Sequence, residues 1–146
     1  MENSKQKINE SMENYLETIL ILSKRLPVVR SVDIAEDLGF KKSSISVAMK
    51  KLRESGEIEV TREGYIYLTD SGKKIANMIY ERHVLMSNWL ISLGVDEEIA
   101  KEDACRIEHV LSKESFQAIK DYVKENQSSV YEESKQEMKA SHVRKP

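Results

Sequence analysis

Ser31-Val32-Asp33-Ile34-Ala35-Glu36-Asp37-Leu38-Gly39-Phe40-Lys41-Lys42-Ser43-Ser44-Ile45-Ser46-Val47-Ala48-Met49-Lys50-Lys51-Leu52-Arg53 contains two helical periods divided by a glycine. Ser31 can cap a first short helix over Val32 to Leu38, and Gly39 can close it in the left-handed conformation. Ser43 or Ser44 can cap a second helix reaching about Glu54. Ile45, Met49 and Leu52, with Ala48, recur at helical spacing and are expected to face inward. Ser44, Ser46, Lys50 and Arg53 are then outward or flanking. Two short helices around a tight glycine-containing turn form a helix-turn-helix, whose second helix enters a major groove with its N-terminal residues foremost.

Downstream, Glu57-Ile58-Glu59-Val60 and Tyr65-Ile66-Tyr67-Leu68 alternate in polarity around Thr61-Arg62-Glu63-Gly64. They predict a β-hairpin, which after a helix-turn-helix is a wing. Arg62 near its tip can reach phosphate or the minor groove. Upstream, Met12, Tyr15, Leu16, Ile19, Leu20 and Leu22 predict a helix over about residues 8–24, ended by Pro27. From Lys41 to Arg53 the charged side chains are all basic: Lys41, Lys42, Lys50, Lys51 and Arg53. A basic patch suits a polyanion, and the plainer alternative is a solvated face. The expected DNA-binding residues are Lys41, Lys42, Ser43, Ser44, Ser46, Lys50, Arg53 and Arg62. The competing reading is a helical pair and hairpin with no nucleic acid partner. The order of the elements favours DNA, although no single piece does.

The 146 residues allow one compact domain or two small ones. Two prolines and five glycines point to a mostly helical chain. The longest apolar run, Ile19-Leu20-Ile21-Leu22, is too short to cross a bilayer, and no apolar signal segment follows Met1. A single cysteine precludes an internal disulfide and is consistent with a reducing cytoplasm. Net charge is −2, but acids outnumber bases between Asp96 and Glu133, which suits cations or a protein partner.

Thr69 or Ser71 can cap a long helix reaching about Leu93, with Ile75, Ile79, Met86 and Leu90 as its apolar stripe and His83 within that stripe. Gly94 ends it, and Asp96 caps a helix carrying Cys105-Arg106-Ile107-Glu108-His109. On a helix, at ~100° per residue, Cys105, Glu108 and His109 fall within roughly 100° of arc, so thiolate, carboxylate and imidazole can converge on one cation. Ala104, Ile107 and Leu111 form a separate apolar stripe. The plain readings are a half-buried cysteine beside solvated Glu108 and His109, and a core histidine at His83. Glu17 and Asn14 share a face beside the first helix's apolar stripe and read by periodicity as surface residues. Ser112 and Lys113 break the motif's helix, and two further helices span Glu114 to about Asn126 and Ser129 to about Ala140. His142 to Pro146 read as a mobile end, with no ligand pattern around His142.

Taken together, Met12-Glu13-Asn14-Tyr15-Leu16-Glu17, Val32-Asp33-Ile34-Ala35, Leu68-Thr69-Asp70-Ser71-Gly72-Lys73, Arg82-His83 and Asp103-Ala104-Cys105-Arg106-Ile107-Glu108-His109-Val110-Leu111-Ser112 resemble the diphtheria-toxin-repressor group of metal-dependent transcription regulators. In length the chain resembles the manganese transport regulator branch. The segments keep the family's order and spacing over about residues 8–115. The resemblance implies a winged helix followed by a helical dimerisation domain, and a dimer that binds palindromic operators when loaded with a divalent metal and represses metal-uptake genes. It also implies metal ligands at Glu17, His83, Cys105, Glu108 and His109, with Asn14 at a sixth position. Metal would then crosslink the two halves.

The chain departs from both branches. The manganese branch has a carboxylate at Cys105 and an Asp at Asn14; the iron branch shares Cys-x-x-Glu-His but has Met at Asn14. Ser87 and Lys101 stand where the iron branch's ancillary site needs a carboxylate and a histidine, and the SH3-like third domain of many iron-branch members is expected to be missing. Thiolate favours Fe²⁺, Co²⁺ or Zn²⁺, whereas Mn²⁺ prefers oxygen. The expected signal is Fe²⁺, with Mn²⁺ close behind and Co²⁺ or Zn²⁺ binding in vitro. The full expectation is a mainly α protein. Residues 1–72 form a winged-helix DNA-binding domain, and residues 73–146 a helical metal-binding and dimerisation domain. It acts as a cytoplasmic, homodimeric repressor on double-stranded DNA, with no membrane partner. Two alternatives stand beside it: a winged-helix regulator with a vestigial site answering another ligand or Cys105 oxidation, and a metalloenzyme, which the sequence disfavours for want of a phosphate loop or a nucleophile–base pair.

Overall fold

The computed structural model describes the backbone of residues 2–140 and the side chains of residues 9–139. The stretch 142–146, expected to be mobile, lies outside the described residues. The described chain divides into two compact units, one ending at Asn77 and the other beginning at Met78.

The first unit is a winged helix. Helix α1 (Glu2–Arg25) buries Leu16, Ile19, Leu20 and Leu22 on one stripe. Helices α2 (Ser31–Leu38) and α3 (Lys42–Glu54) follow, then strands β1 (Ile58–Val60) and β2 (Ile66–Leu68). Gly39 closes α2 with φ 69°, as its place after Leu38 predicts. The expected caps are corrected. Arg30, not Ser31, is the N-cap of α2, and its backbone N–H donates to the Asp33 carboxylate at 2.9 Å. Lys41, not Ser43 or Ser44, stands at the N-cap of α3, without a side-chain cap bond. That leaves both serines free of the capping role, on the exposed first turn of α3.

The strands pair antiparallel, with Ile58 opposite Leu68 and Val60 opposite Ile66. Ile58 and Ile66 are buried, so the hairpin is anchored by one apolar face. Gly64, at φ 87°, donates to the Thr61 carbonyl at 2.9 Å and turns the chain. Periodicity missed a third edge: Val29 bridges Ile66, whose N–H donates to the Val29 carbonyl at 2.8 Å. Helix α4 (Asp70–Ser92) begins against this hairpin. The Thr69 hydroxyl oxygen accepts from Gly72 N–H at 3.1 Å, capping α4 as expected, and donates to the Gly56 carbonyl at 2.7 Å. A Cβ at Gly72 would collide with the Glu57 carbonyl, so that approach requires glycine.

The second unit comprises the rest of α4 with α5 (Glu97–Ile107), α6 (Lys113–Asn126) and α7 (Ser128–Ala140). Asp96 caps α5 by accepting from Glu98 N–H at 3.2 Å, and Ser112 caps α6 by accepting from Ser115 N–H at 3.0 Å. Leu85, Phe116 and Val123 form the core, packed by Trp89, Leu111, Ile119, Val130 and Tyr131. Burying each of the three stabilises the unit by about 1.5–3 kcal/mol. Asn88 donates to the Ser134 hydroxyl at 3.0 Å, joining α4 to α7.

Candidate DNA-binding face and metal centre

Helix α3 separates its residues cleanly by direction. Ile45, Met49 and Leu52 are buried, while Lys41, Lys42, Ser43, Ser44, Ser46, Lys50 and Arg53 are exposed. Arg62 is exposed in the hairpin turn. The helix thus presents hydroxyls and cations together, a surface able to hold phosphates and reach base edges. The acid-free first turn of α3 adds the helix dipole's positive end. A shallow groove of about 230 Å³ runs beside it, lined by Ser31, Ser46, Met49, Lys50, Arg53 and Val60.

Two features of this face escaped the sequence reading. Val47 is 56% exposed amid the polar residues of α3. Its position two after Ile45 was the available signal. Arg30 lies 4.9 Å from the Tyr65 ring centre and donates to the Tyr65 hydroxyl at 3.2 Å, adding a cation beside the wing. The spacing of Arg30 and Tyr65 in sequence carries no hint of that pairing.

In the second unit, α4 carries Arg82 and His83 side by side. Helix α5 stops at Ile107, earlier than the expected break at Ser112. Glu108 is its C-cap, with N–H donating to the Ala104 carbonyl at 2.9 Å, and the N–H groups of Val110 and Leu111 turn back to the Ile107 carbonyl. Glu108 keeps helical dihedrals, φ −57° and ψ −26°, yet it and Cys105 differ in exposure. Cys105 is exposed on the last turn of α5, whereas Glu108 is 0% exposed in the turn that follows.

The Glu108 carboxylate collects two imidazoles. Its Oε2 is 2.8 Å from His83 Nδ1, and its Oε1 is 3.4 Å from His109 Nε2. A fully buried carboxylate is costly unless a positive charge compensates it. Two imidazole nitrogens and a carboxylate oxygen are a donor set suited to first-row divalent ions, so the residues fit a metal. His83 is half-buried, with its ring directed to a carboxylate. Glu17 is buried on α1, against the periodicity that reads it as a surface residue, and Asn14 is half-buried one turn earlier. The Asn14 carbonyl accepts from the Thr18 hydroxyl at 2.8 Å. Ser87 is buried, and Lys101 pairs with Glu97 at 2.9 Å, which raises its ammonium pKa above the usual lysine value. The sequence assigns Arg82 no role, its one signal being an arginine beside the apolar stripe of α4.

Among the described residues, no helix is long and apolar enough to cross a membrane. Residues 7–65 match the model of the iron dependent repressor N-terminal DNA binding domain. Residues 69–136 match that of the iron dependent repressor metal binding and dimerisation domain. The transcriptional regulator MntR of Escherichia coli is 35% identical over 111 residues, covering 76% of this chain and 72% of its own. The HTH-type transcriptional regulator MntR of Bacillus pumilus is 37% identical over 113 residues, covering 77% and 78%. A solved manganese-dependent transcriptional repressor in complex with manganese superposes with TM-score 0.70 at 27% identity, over 77% of this chain. The chain spans about half that structure's length, 52%.

Proposed function

The chain belongs to the iron-dependent repressor family of metal-dependent, DNA-binding transcription regulators, and from that premise we propose that it represses metal-uptake genes in response to Fe²⁺ or Mn²⁺. The observation that carries the metal half of this reading is the buried Glu108 carboxylate between His83 and His109. We assign these three as the ligands within the second unit. Cys105, Glu17 and Asn14 complete the set by resemblance to the family. When bound, the metal supplies positive charge to the buried carboxylate. The protein's own residues do the rest: His83 and His109 offer neutral imidazole nitrogen, and Glu108 supplies the anionic oxygen.

On the DNA side, Lys41, Lys42, Lys50, Arg53 and Arg62 bind phosphates, and Ser43, Ser44, Ser46 and Lys50 read bases. Two copies of the chain take the two half-sites of an operator. Metal and DNA affinities are coupled, and each ligand strengthens the other by the same factor. The protein works in the cytoplasm, where the operator is, and has no enzymatic activity. Whether sulfur from Cys105 enters the coordination shell selects between Fe²⁺ and Mn²⁺.

The test is operator binding by the full chain with and without each divalent metal, alongside metal analysis of anaerobically purified protein. The expected result is tight operator binding with Fe²⁺ or Mn²⁺ and weak binding after chelation. Equal binding in both conditions would replace this reading with a winged-helix regulator that answers another ligand.

A further inference from the structure

Arg82 is 7% exposed, one residue before His83 on α4. Its Nη1 donates to the Glu108 carbonyl at 3.2 Å and to the Leu111 carbonyl at 2.6 Å. The guanidinium also lies 5.3 Å from the centre of the Phe116 ring on α6. Both carbonyls belong to residues beyond Ile107, the last residue of α5, although Leu111 N–H still donates to the Ile107 carbonyl at 3.1 Å.

Two consecutive residues of α4 therefore hold Glu108 from opposite ends. His83 meets its carboxylate at 2.8 Å, and Arg82 meets its backbone carbonyl at 3.2 Å. The second bond, to Leu111, spans the turn that contains His109. Backbone bonds to Ala104 and Ile107 hold the N–H side of this turn, and its carbonyl side needs a donor from elsewhere. The contacts of Glu108 with His83 and His109 orient its side chain but do not hold that carbonyl side. A guanidinium does so because it stays charged at any working pH and presents several donors in one rigid plane. Phe116 covers one face of that plane and limits its rotation.

We propose that Arg82 is a positioning residue of the metal centre. It fixes the backbone of residues 108–111 so that Glu108 and His109 are already aimed when metal arrives. The inference rests on the metal reading given above. It assigns Arg82 no contact with the metal and acts wholly through the turn.

The test uses the full chain, with Mn²⁺ and Co²⁺ as probes, and compares wild type, Arg82→Gln, Arg82→Lys and Glu108→Gln. Direct titration gives metal affinity, the Co²⁺ visible spectrum reports ligand geometry, and melting of the metal-free protein reports stability. Arg82→Gln should weaken both metals by about 10–100-fold, the range for partners that orient a ligand. Arg82→Lys, a single-point donor, should fall between it and wild type. In both, the Co²⁺ bands should shift, which a purely structural loss would not cause. Folded Arg82 variants that hold Mn²⁺ within about twofold of wild type, with an unchanged Co²⁺ spectrum, would overturn the proposal. Should Arg82→Gln fail to fold, Arg82→Lys decides by the same two readings. Glu108→Gln separates the two levels. If it binds metal as wild type does, the metal reading fails and this inference with it. If it is weak while the Arg82 variants are normal, only the positioning role fails.

Discussion

The outer face of α3 and the turn after α5 are the two surfaces proposed to bind DNA and metal, and they are built in opposite ways. Along α3, Ser43, Ser46, Lys50 and Arg53 project from an unbroken helix into solvent, over a buried stripe of Ile45, Met49 and Leu52. At the C-cap of α5, Glu108 is 0% exposed, held by His83 and Arg82 from another helix. On the first surface each side chain is close to independent of its neighbours, so substitutions should have small and additive effects. On the second the groups depend on one another, so one substitution should disable the whole.

The largest expected effect is at the turn. Glu108→Gln removes the anion that both imidazoles face and should weaken Mn²⁺ binding beyond about 100-fold, the upper range for an outer-shell partner. Isothermal titration checks it, and an effect below tenfold would dissolve the contrast between the two regions.

Cys105 lies at the boundary between the two kinds of surface, exposed on the last regular turn of α5 yet proposed as a ligand by resemblance. Cys105→Ala should weaken Co²⁺ binding by roughly tenfold and leave the fold intact, since alanine suits a helix. Wild-type protein with Co²⁺ should show a thiolate charge-transfer band in the near ultraviolet, and the variant should lack it. Metal binding displaces protons from thiol and imidazolium, so affinity should rise with pH and level off once these groups are deprotonated. A wild-type spectrum without the sulfur band would place Cys105 with the exposed residues and favour Mn²⁺.

On α3, Lys50→Ala should weaken operator binding a few fold and lower the log–log salt slope by about 1, the signature of one lost phosphate contact. An unchanged slope there, and in the corresponding Lys42 and Arg53 variants, would remove this face from the DNA. The smallest effect is expected at Val47. Its exposed methyl groups suit the 5-methyl of a thymine, and Val47→Ala should cost about 1 kcal/mol at one base pair. Binding to operators with uracil at single thymine positions would locate that pair, and a uniform loss at every position would refute base reading by Val47.

Legibility follows the same division. The α3 face was readable because a regular helix converts residue spacing into direction, so Ile45, Met49 and Leu52 already implied where Lys50 and Arg53 point. Capping was less so: Ser31, Ser43 and Ser44 all have cap chemistry, yet Arg30 and Lys41 occupy the cap positions. The Val29–Ile66 bridge was invisible because it joins residues far apart in sequence.

By itself the sequence determined the winged helix, the helical second half and the residue types able to bind metal, because each depends on local periodicity, turn chemistry or side-chain identity. Only the tertiary structure decided that α5 ends at Ile107, that Cys105 and Glu108 have opposite exposure, and that Arg82 holds the turn between them and α6. Those outcomes depend on which buried carbonyls and carboxylates find a donor on another helix. That pairing lowers the free energy of the folded chain without leaving a period in its sequence.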